Sequence, residues 1–521
     1  MQTAIHKALK INIIWIFILS TFTVSQVRGN EQEKTLNYYL ASLLNDPVQL
    51  RLFLQKMPKG ADLHTHFDGA IYAESYLQWA ALDNKCFDLE LQSIVATCES
   101  NNPKVISAEK VVNDGTLFNA AIDSLSVRNY QLGTKSGHQQ FFSTFGRFSA
   151  AISGREGHML AEIAQRAAKQ HITALELQVV FGIFEAASLA SEFKQKPLPD
   201  QVGLAMQHST LTDAREKTIE QVDLAEATMR SILKCDSQTP QLGCDVKISY
   251  LSTIIRVLPE GSMTPQAALA FSLVDSDERF VGVNIAAPED NLQALSRYKR
   301  HMEIFALLAE NYPKVANKLS LHAGELTLGL VDPKHLTDNI HDAVSIAKAK
   351  RIGHGTSIVY ELDKHKDLLK NLKESSVLIE INLTSNEVIL GVSHEYHPLP
   401  LYLANNVPVA LSTDDEGIAR IDLTHEYQIA AQRYKLPYTT LKSLSRNSLE
   451  YSFLNGLSLF EDYPNLTVNS KCTSPSSSLE SESDECFQFL EDNDKAKYQK
   501  QLEIAFDRFE RDIIEDIRVF Q

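Results

Sequence analysis

The stretch Ala61-Asp62-Leu63-His64-Thr65-His66-Phe67-Asp68-Gly69-Ala70 places two histidines two residues apart at the end of a short apolar run. Side chains alternate between the two faces of a β-strand, so His64 and His66 point the same way. Two imidazoles on one side of a strand end can occupy two positions around one cation, and imidazole suits zinc. A His-x-His pair also occurs in surface loops, so the rest of the chain has to decide between the two interpretations.

Three later apolar runs also end in ionisable side chains. A buried charge costs several kcal/mol unless it is paired or bound to a metal, so these endings need a common explanation. In a parallel barrel the carboxyl ends of all strands meet on one face. The three runs are Lys318-Leu319-Ser320-Leu321 before His322-Ala323-Gly324-Glu325, Arg351-Ile352-Gly353 before His354-Gly355, and residues 407–413 before Asp414-Asp415.

Together the four strand ends indicate a metal site with an acid and a base beside it. The predicted ligands are three histidines and one aspartate, which leave one position open for water: His64, His66, His322 and either Asp414 or Asp415. A metal in such a site lowers the pKa of its bound water toward neutrality. Glu325 and His354 remain as the proton donor and acceptor.

Each of these residues taken alone has a structural interpretation. His322 or His354 could be a core histidine whose hydrogen bonds are satisfied. Asp414-Asp415 could cap a helix over residues 417–427, and Glu325 could cap the next helix. Four coincident strand ends favour the metal site over four separate structural roles.

The order of elements predicts an α/β fold. Parallel strands joined by helical crossovers are expected where strands and helices alternate, and eight such units predict a (β/α)8 TIM barrel. The alternative is an open doubly wound sheet, but no Gly-x-Gly-x-x-Gly follows an early strand and no Walker-type loop is present. The predicted strands are 61–66, 173–180, 246–251, 280–286, 318–322, 351–354, 377–382 and 407–413, and the main helices between them are 156–170, 213–233, 292–311 and 340–348.

The N-terminus has the layout of a secretory signal peptide. Lys7 and Lys10 precede an apolar run over residues 11–24, and Val27-Arg28-Gly29 is a plausible cleavage site. The run is short for a membrane span, although an uncleaved anchor is the alternative. We therefore expect a secreted or periplasmic protein that has no membrane contact after cleavage.

Charge narrows the choice of partner. Removing residues 1–29 takes away three basic residues and no acids, which changes the formal net charge from −16 to −19. A surface that acidic repels polyanions, so nucleic acid is not an expected partner. A neutral or cationic small molecule is the easier substrate.

The six cysteines form three pairs that are local in sequence. An exported chain favours disulfides, which predicts Cys86–Cys98, Cys235–Cys244 and Cys472–Cys486. The chain has no Cys-x-x-Cys motif, so a cysteine-based zinc site is disfavoured.

Four segments are expected along the chain. Residues 1–29 form the signal peptide and 30–56 a helical extension. Residues 57–460 form the barrel, with an insertion near 83–107. Residues 461–521 hold a serine-rich loop and a closing helix.

Six motifs stand in the order found in the adenosine/AMP deaminase family, which the chain resembles over about residues 57–455. The combination is specific, although each motif alone is not. The exported context, the Met57-Pro58-Lys59-Gly60 lead-in and the helical extension resemble the secreted branch, the adenosine-deaminase-related growth factors. The motifs are His64-Thr65-His66-Phe67-Asp68-Gly69-Ala70, His322-Ala323-Gly324-Glu325, Arg351-Ile352-Gly353-His354-Gly355, Ser385-Asn386, His397-Pro398 and Ser412-Thr413-Asp414-Asp415.

The resemblance implies one Zn²⁺ per chain. Its ligands would be His64, His66, His322 and Asp414. It also implies a purine nucleoside as the small-molecule partner and a homodimer formed through the helical extension.

The resemblance further assigns roles to the remaining polar residues. Glu325 would protonate purine N1, and His354 would deprotonate or orient the attacking water. Asp415 would hold the attacking oxygen and contact N7. Asp68 resembles the family residue that meets the ribose 5′-hydroxyl.

One departure from the family pattern concerns the purine. A glycine whose backbone N–H meets purine N3 is usual after the fourth strand, and Ala287 occupies that place in this chain. The alanine methyl narrows the approach to a ligand, and Pro288 restricts the backbone further.

These observations favour a secreted zinc-dependent deaminase of adenosine or 2′-deoxyadenosine. AMP is a weaker candidate, because no basic cluster stands out near the predicted site residues. One alternative is a barrel hydrolase acting on another purine-like or N6-substituted amine. Another is a secreted binding or signalling protein without catalysis, but such a protein has no need of both Glu325 and His354 beside the ligands.

Overall fold

A computed structural model describes residues 31–98, 102–130, 135–472 and 482–519. The predicted signal peptide lies outside these residues. Eight parallel strands form two four-stranded sheets, which follow the chain order. They are β1 (Gly60–His66), β2 (Ile172–Val179), β3 (Lys247–Ile255), β4 (Phe280–Ala286), β5 (Ser320–Ala323), β6 (Arg351–His354), β7 (Leu378–Ile381) and β8 (Val409–Leu411).

The two sheets are joined to each other along both edges. A parallel bridge between Val283 and Leu319 links β4 to the start of β5, and one between Thr65 and Asp414 links β1 to the residues after β8. Around the second bridge, His66 N–H donates to Asp414 O at 2.9 Å. The predicted α/β barrel is confirmed, and every predicted strand is present with small shifts at its ends.

The strands are buried along nearly their whole length, as expected for parallel strands covered by helices. The barrel interior also holds a charged group. The guanidinium of Arg351 lies 2.6 Å from carboxylate oxygens of both Glu176 and Glu380, and it stacks 4.1 Å above the ring of Phe453. The two carboxylates pair this buried cation, whereas an unpaired buried charge would cost several kcal/mol.

Helices connect successive strands and cover the barrel. Between β1 and β4 they are Ala73–Leu82, Ala108–Asn113, Gly115–Ser124, Gly137–Phe148, Glu156–Lys169, Ile183–Ala187, Ala190–Phe193, Leu198–Ala205, Ser209–Leu233 and Met263–Ser276. After β4 they are Leu292–Asn311, Asn339–Ser345, Ile358–Glu361, Leu368–Glu374, Leu383–Leu390, Leu399–Ala404, Glu416–Ala419, Leu423–Tyr434 and Tyr438–Glu450.

The segment expected to be an inserted loop near 83–107 contains a small antiparallel sheet. Its strands are Cys86–Asp88, Ser93–Val95 and Val105–Ser107, with the first in the middle. Short strands between turns gave no periodic signal long enough to predict them. The three predicted disulfides, Cys86–Cys98, Cys235–Cys244 and Cys472–Cys486, are confirmed.

Helices from both ends of the described chain pack together outside the barrel. Residues 31–43 and Pro47–Lys56 are helical, and the last helices are Asp484–Glu491 and Asp494–Val519. The ring of Phe53 lies 5.3 Å from that of Phe509. A short antiparallel pair, Phe460–Asp462 with Thr467–Val468, precedes the last helices. None of the helices in the described ranges combines the length and apolar character that a membrane crossing requires.

Candidate active site

The predicted metal ligands converge at the carboxyl ends of the strands. The ring centroids of His64, His66 and His322 are 4.5 to 5.6 Å apart. Asp414 Oδ1 lies 3.3 Å from His64 Nε2 and 3.2 Å from His66 Nε2. The residues that offer closely spaced donor atoms form two overlapping groups, His64–His322–His354–Asp414 and His66–Asp414–Asp415. All four predicted ligands therefore belong to one cluster, in which His354 and Asp415 also take part.

Buried acceptors fix the orientation of two of the imidazoles. His64 Nδ1 lies 2.7 Å from Glu380 Oε2, and His322 Nδ1 lies 3.1 Å from Asn284 Oδ1. An Nδ1–H bonded to an oxygen leaves Nε2 as the lone-pair nitrogen, which is the form that binds a metal. His64 Nε2 is buried and faces Asp414 Oδ1 at 3.3 Å. The histidines are thus oriented to present Nε2 to a cation.

The backbone around the cluster is closely packed and is left-handed at two of the site residues. Ser385 Oγ donates to Asp414 Oδ2 at 2.5 Å, which leaves Oδ1 toward the histidines. A Cβ on Gly353 would come within 2.6 Å of His64 Cε1, so only glycine lets that ring lie against β6. Asp414 has φ of 61° and His354 has φ of 68°. Such left-handed backbone costs energy for non-glycine residues and concentrates at functional sites.

Glu325 and His354 lie beside the cluster. His354 Nε2 is 3.8 Å from Glu325 Oε1, and both side chains are buried. Burial raises the pKa of Glu325 well above its usual value, with Asp414 adding to the effect, which favours the protonated acid. Burial lowers the pKa of His354 to about 3, so His354 is neutral.

Asn386, which His397 contacts in turn, hydrogen-bonds the Nδ1 side of the His354 ring. Asn386 Nδ2 lies 3.0 Å from His354 Nδ1, and His397 Nε2 lies 3.1 Å from Asn386 Oδ1. Asn382 Nδ2 is a second amide at 3.3 Å from His354 Nδ1. With the amides donating, Nδ1 is the acceptor and Nε2 is the nitrogen that faces the cluster.

Asp415 and Asp68 lie in the wall of the cavity. A Cβ on Gly69 would overlap the Asp415 carboxylate, so the glycine is what allows Asp415 to sit against the turn after β1. Burial, followed by the charge of Asp414, raises the pKa of Asp415 well above its usual value. Burial also raises the pKa of Asp68, whose Oδ1 accepts from Gly69 N–H.

Ala287 has a left-handed backbone of the kind that favours glycine. Its φ is 83°, and it lines the cavity beside Pro288. Arg256 Nε donates to Ala287 O at 2.6 Å. Glu289, two residues further on, accepts from Gly324 N–H and Glu325 N–H, both at 3.0 Å. This short segment therefore supports both one wall of the cavity and the backbone of the predicted acid.

The cluster opens into a cavity of about 570 Å³. Its apolar walls include Phe67, Phe141, Phe142, Phe145, Phe181 and Phe184. Carboxylates of Asp68, Glu156 and Glu325 also line it, whereas no lysine or arginine does among the described residues. A largely apolar cavity with a few polar groups is the usual form of a small-molecule site.

The chain was next compared with known proteins. A family model described as adenosine deaminase matches residues 162–457, which is more than half of the chain. The chain belongs to the adenosine deaminase family. The adenosine deaminase of Clostridium perfringens is 26% identical over 239 residues, which are 46% of this chain and 64% of that protein. The adenosine deaminase of Aedes albopictus is 35% identical over 140 residues, which are 26% of this chain and 25% of that protein.

These matches span less than two thirds of the length of either relative. Among solved structures, the adenine deaminase of Arthrobacter aurescens has a TM-score of 0.50 and 15% identity, with coverage of 76% of this chain and 94% of that one. At that identity the similarity shows the fold alone. The similarity in fold agrees with the barrel described above for this chain.

Sequence reasoning missed the residues that support the cluster. Glu380, Asn284 and Glu289 are buried and contact a predicted ligand or the backbone of the predicted acid. Glu380 lies between Ile379 and Ile381, so a charged residue inside an apolar strand was the available signal. The sequence could not show which residue such a charge meets.

Replacing Glu380 with glutamine should weaken metal binding by this family member about 10- to 100-fold, since ligand orientation depends on such partners. The amide cannot keep the charge that Glu380 offers to both His64 and Arg351. Competition with a chromogenic chelator would measure the affinity. Glu361→Gln is the matched control, because Glu361 is also buried but accepts from Ile340 N–H and His341 N–H away from the cluster. Equal affinity in Glu380→Gln and the unaltered protein would contradict the orienting role.

Proposed function

We propose that the protein is a zinc-dependent hydrolytic deaminase that converts adenosine or 2′-deoxyadenosine to inosine or 2′-deoxyinosine and ammonia. The observation that carries this proposal is the meeting of three imidazoles and Asp414 with a buried Glu325, whose pKa burial raises, at one end of a largely apolar cavity. Membership in the adenosine deaminase family supports the reaction class.

The cluster fits Zn²⁺ in the chemistry of its donors. Three imidazole nitrogens and one carboxylate oxygen are usual for a zinc site that leaves a position for water. The residues that would hold the ion are His64, His66, His322 and Asp414. Bound zinc supplies Lewis acidity that lowers the pKa of a water molecule. The approach of Asp414 Oδ1 to Nε2 of both His64 and His66 and the neutral state of His322, whose pKa burial lowers well below its usual value, agree with this assignment.

Glu325 supplies the proton of the proposed reaction, and His354 positions the water. Glu325 donates its proton to purine N1, which makes C6 electrophilic. His354 orients the attacking water by donating its Nε2–H to the oxygen as the new C6–O bond forms. One proton of the water passes to the amino group, the C6–N6 bond breaks, and ammonia leaves. The proton left on the C6 oxygen returns to Glu325, which gives inosine and restores the acid.

The cavity wall determines how the substrate lies. Asp415 contacts the attacking oxygen and N7, and Asp68 accepts from the ribose 5′-hydroxyl. The phenylalanine-rich walls contact the flat faces of the base and sugar, since these faces are largely apolar. Ala287 offers its backbone to the purine edge, although its methyl group leaves less room than a glycine would.

The charge of the wall supports a substrate without phosphate. A 5′-phosphate would meet Asp68 and Glu156, and no lysine or arginine among the described residues lines the cavity to pair with it. An unpaired buried charge costs several kcal/mol. An unphosphorylated nucleoside avoids this cost.

Export of the protein is also part of the proposal. Three disulfides persist best in an oxidising compartment, and the predicted signal peptide accounts for the route. The homodimer that the family resemblance implies stays a prediction.

Purified protein should deaminate adenosine and 2′-deoxyadenosine, and it should act on AMP at least about a hundredfold less efficiently in kcat/KM, because the cavity cannot pair a phosphate. Loss of adenosine absorbance and release of ammonia would measure turnover. Chelation should abolish turnover, and added zinc should restore it.

The same panel should include N6-methyladenosine. Ala287 departs from the family pattern in the cavity wall, so an N6-substituted amine is the second candidate substrate. Preference for that compound would favour the second substrate class. No turnover of any purine by zinc-loaded protein would contradict the deaminase proposal.

A further inference from the structure

A second cavity, of about 200 Å³, lies at the end of β3. The loop after β3, the segment after helix Ala190–Phe193 and the helix Leu292–Asn311 form its walls. We call it the basic pocket, because five cations line it: Lys194, Lys196, Arg256, Arg297 and Arg300. Glu260 is the single carboxylate among its lining residues. Such a concentration of positive charge stands out on a chain whose formal net charge is −16.

The basic pocket is separate from the candidate active site. Of the residues that line the two cavities, only Ile255 belongs to both. The walls also differ in chemistry, since the active-site cavity has carboxylates and phenylalanines and no lysine or arginine among the described residues. A ligand that suits one cavity therefore does not suit the other.

Two buried side chains in the basic pocket have nitrogens without a hydrogen-bond partner among the described residues. Arg256 is 2% exposed, and its Nη1 and Nη2 make no hydrogen bond within the described chain. Glu289 Oε2 forms an ion pair with Nη1 at 3.6 Å, which is beyond hydrogen-bonding distance. His301 is 4% exposed, and its Nδ1 also makes no hydrogen bond there. Buried polar groups are almost always hydrogen-bonded, so a water molecule or a ligand is expected beside the Arg256 guanidinium.

The cations at the mouth outnumber the carboxylates that face them. Glu260, which is about half exposed, lies 3.6 Å from Lys194 and 4.0 Å from Arg297, and Arg300 Nη1 lies 3.2 Å from Glu303 Oε2. With Glu289 facing Arg256, three carboxylates face the five cations, which leaves an excess of two positive charges. A bound water could accept hydrogen bonds from Arg256, but it would leave the excess positive charge in place.

We propose that the basic pocket binds a phosphate group, either as inorganic phosphate or as the phosphate of a small monoester. The planar fork of Arg256 matches two phosphate oxygens, and the remaining cations neutralise the dianion. The pocket volume of about 200 Å³ holds one tetrahedral anion and leaves room for the rest of a small monoester. This site goes beyond the proposed deaminase function and does not depend on it.

The position of Arg256 connects the pocket to the active-site wall. The same guanidinium donates through Nε to Ala287 O and faces Glu289, which holds the backbone of Glu325. A phosphate on Nη1 and Nη2 therefore binds the residue that supports both elements. Binding of phosphate and binding of substrate are expected to be coupled, and any such coupling is reciprocal.

Isothermal titration calorimetry of the mature protein with inorganic phosphate tests the proposal. The double variant Lys196→Gln/Arg297→Gln should bind phosphate at least about tenfold more weakly, because two of the five charges are removed. Lys299→Gln is the matched control, since Lys299 belongs to the same helix but lines a different cavity. Its affinity for phosphate should stay within about twofold of the unaltered protein.

Zinc at the active site could also bind phosphate, so the titration is repeated on chelated protein. Binding that survives chelation and falls in the double variant supports the basic pocket. A titration with glycerol 3-phosphate distinguishes the two possible ligands. Tighter binding of this monoester than of inorganic phosphate would identify a phosphorylated small molecule, and tighter binding of inorganic phosphate would identify the free ion. Arg256→Gln, checked for folding by circular dichroism, should abolish binding.

Two outcomes would overturn the proposal. One is no heat of binding with phosphate at about 10 mM, a concentration at which even weak anion sites fill. The other is equal weakening in the double variant and in Lys299→Gln, which would show general attraction to surface charge. Both tests are independent of turnover, so a failure here is distinct from a failure of the deaminase proposal.

Discussion

Replacing Glu325 with glutamine should lower kcat for adenosine about 10²- to 10⁴-fold while zinc content stays near one per chain. A general acid contributes an acceleration of that size, and glutamine cannot donate a proton to purine N1. The exchange keeps the shape of the side chain and its place beside His354. Glu325 belongs to neither group of closely spaced metal donors, so the ion should remain.

Turnover and metal content have to be measured on the same sample. Ammonia release gives kcat, and atomic absorption gives zinc per chain. Glu156→Gln is the matched control, because Glu156 lines the same cavity and also belongs to neither donor group. It should keep turnover within about tenfold of the unaltered protein, as expected for a cavity carboxylate without a proton-transfer role. A Glu325→Gln protein that keeps its full rate would show that the acid is another group.

The residues at the strand ends could be predicted because their sequence context is local. His64 and His66 follow an apolar run, and His322 follows another, so strand period and burial cost place them on one face. The structure brings them to within 5.6 Å of one another, measured between ring centroids. The barrel topology then brings these residues together, because the carboxyl ends of all its strands lie on one face.

The partners of those residues could not be predicted because they are remote in sequence. Glu380 lies 316 positions from His64, and Asn284 lies 38 positions from His322. Nothing in the local pattern says which buried polar residue meets which ligand. Pairing of this kind depends on the register of strands, which is set by packing over the whole barrel.

The basic pocket could not be predicted from the sequence either. Lys194, Arg256 and Arg297 come from three different segments and do not form a charge cluster along the chain. Arg256 directly follows β3, where a single arginine after an apolar strand would be read as a surface residue. Its burial becomes evident only when the helix Leu292–Asn311 packs beside it.

Replacing His322 with alanine should remove the metal, and activity with it. Structural zinc sites bind with about 10–16 kcal/mol, so one of four ligands accounts for about 3 kcal/mol, or roughly a 10²-fold loss in affinity. His322 is buried and oriented by Asn284, so no mobile side chain can replace it. Chelator competition should show the weaker affinity, and dialysed protein should contain little zinc.

The two variants together separate binding from chemistry. Glu325→Gln should be inactive with zinc present, whereas His322→Ala should regain part of its activity when excess zinc is added. His341→Ala is the control for loss of an imidazole, because His341 stacks on His365 at 3.7 Å and belongs to neither donor group. It should keep both zinc and turnover. If His322→Ala held zinc as tightly as the unaltered protein, His322 would not be a ligand. The cation would then be bound by the other histidines and aspartates. His354 would be the first candidate for the fourth ligand, because it shares a donor group with His64 and Asp414.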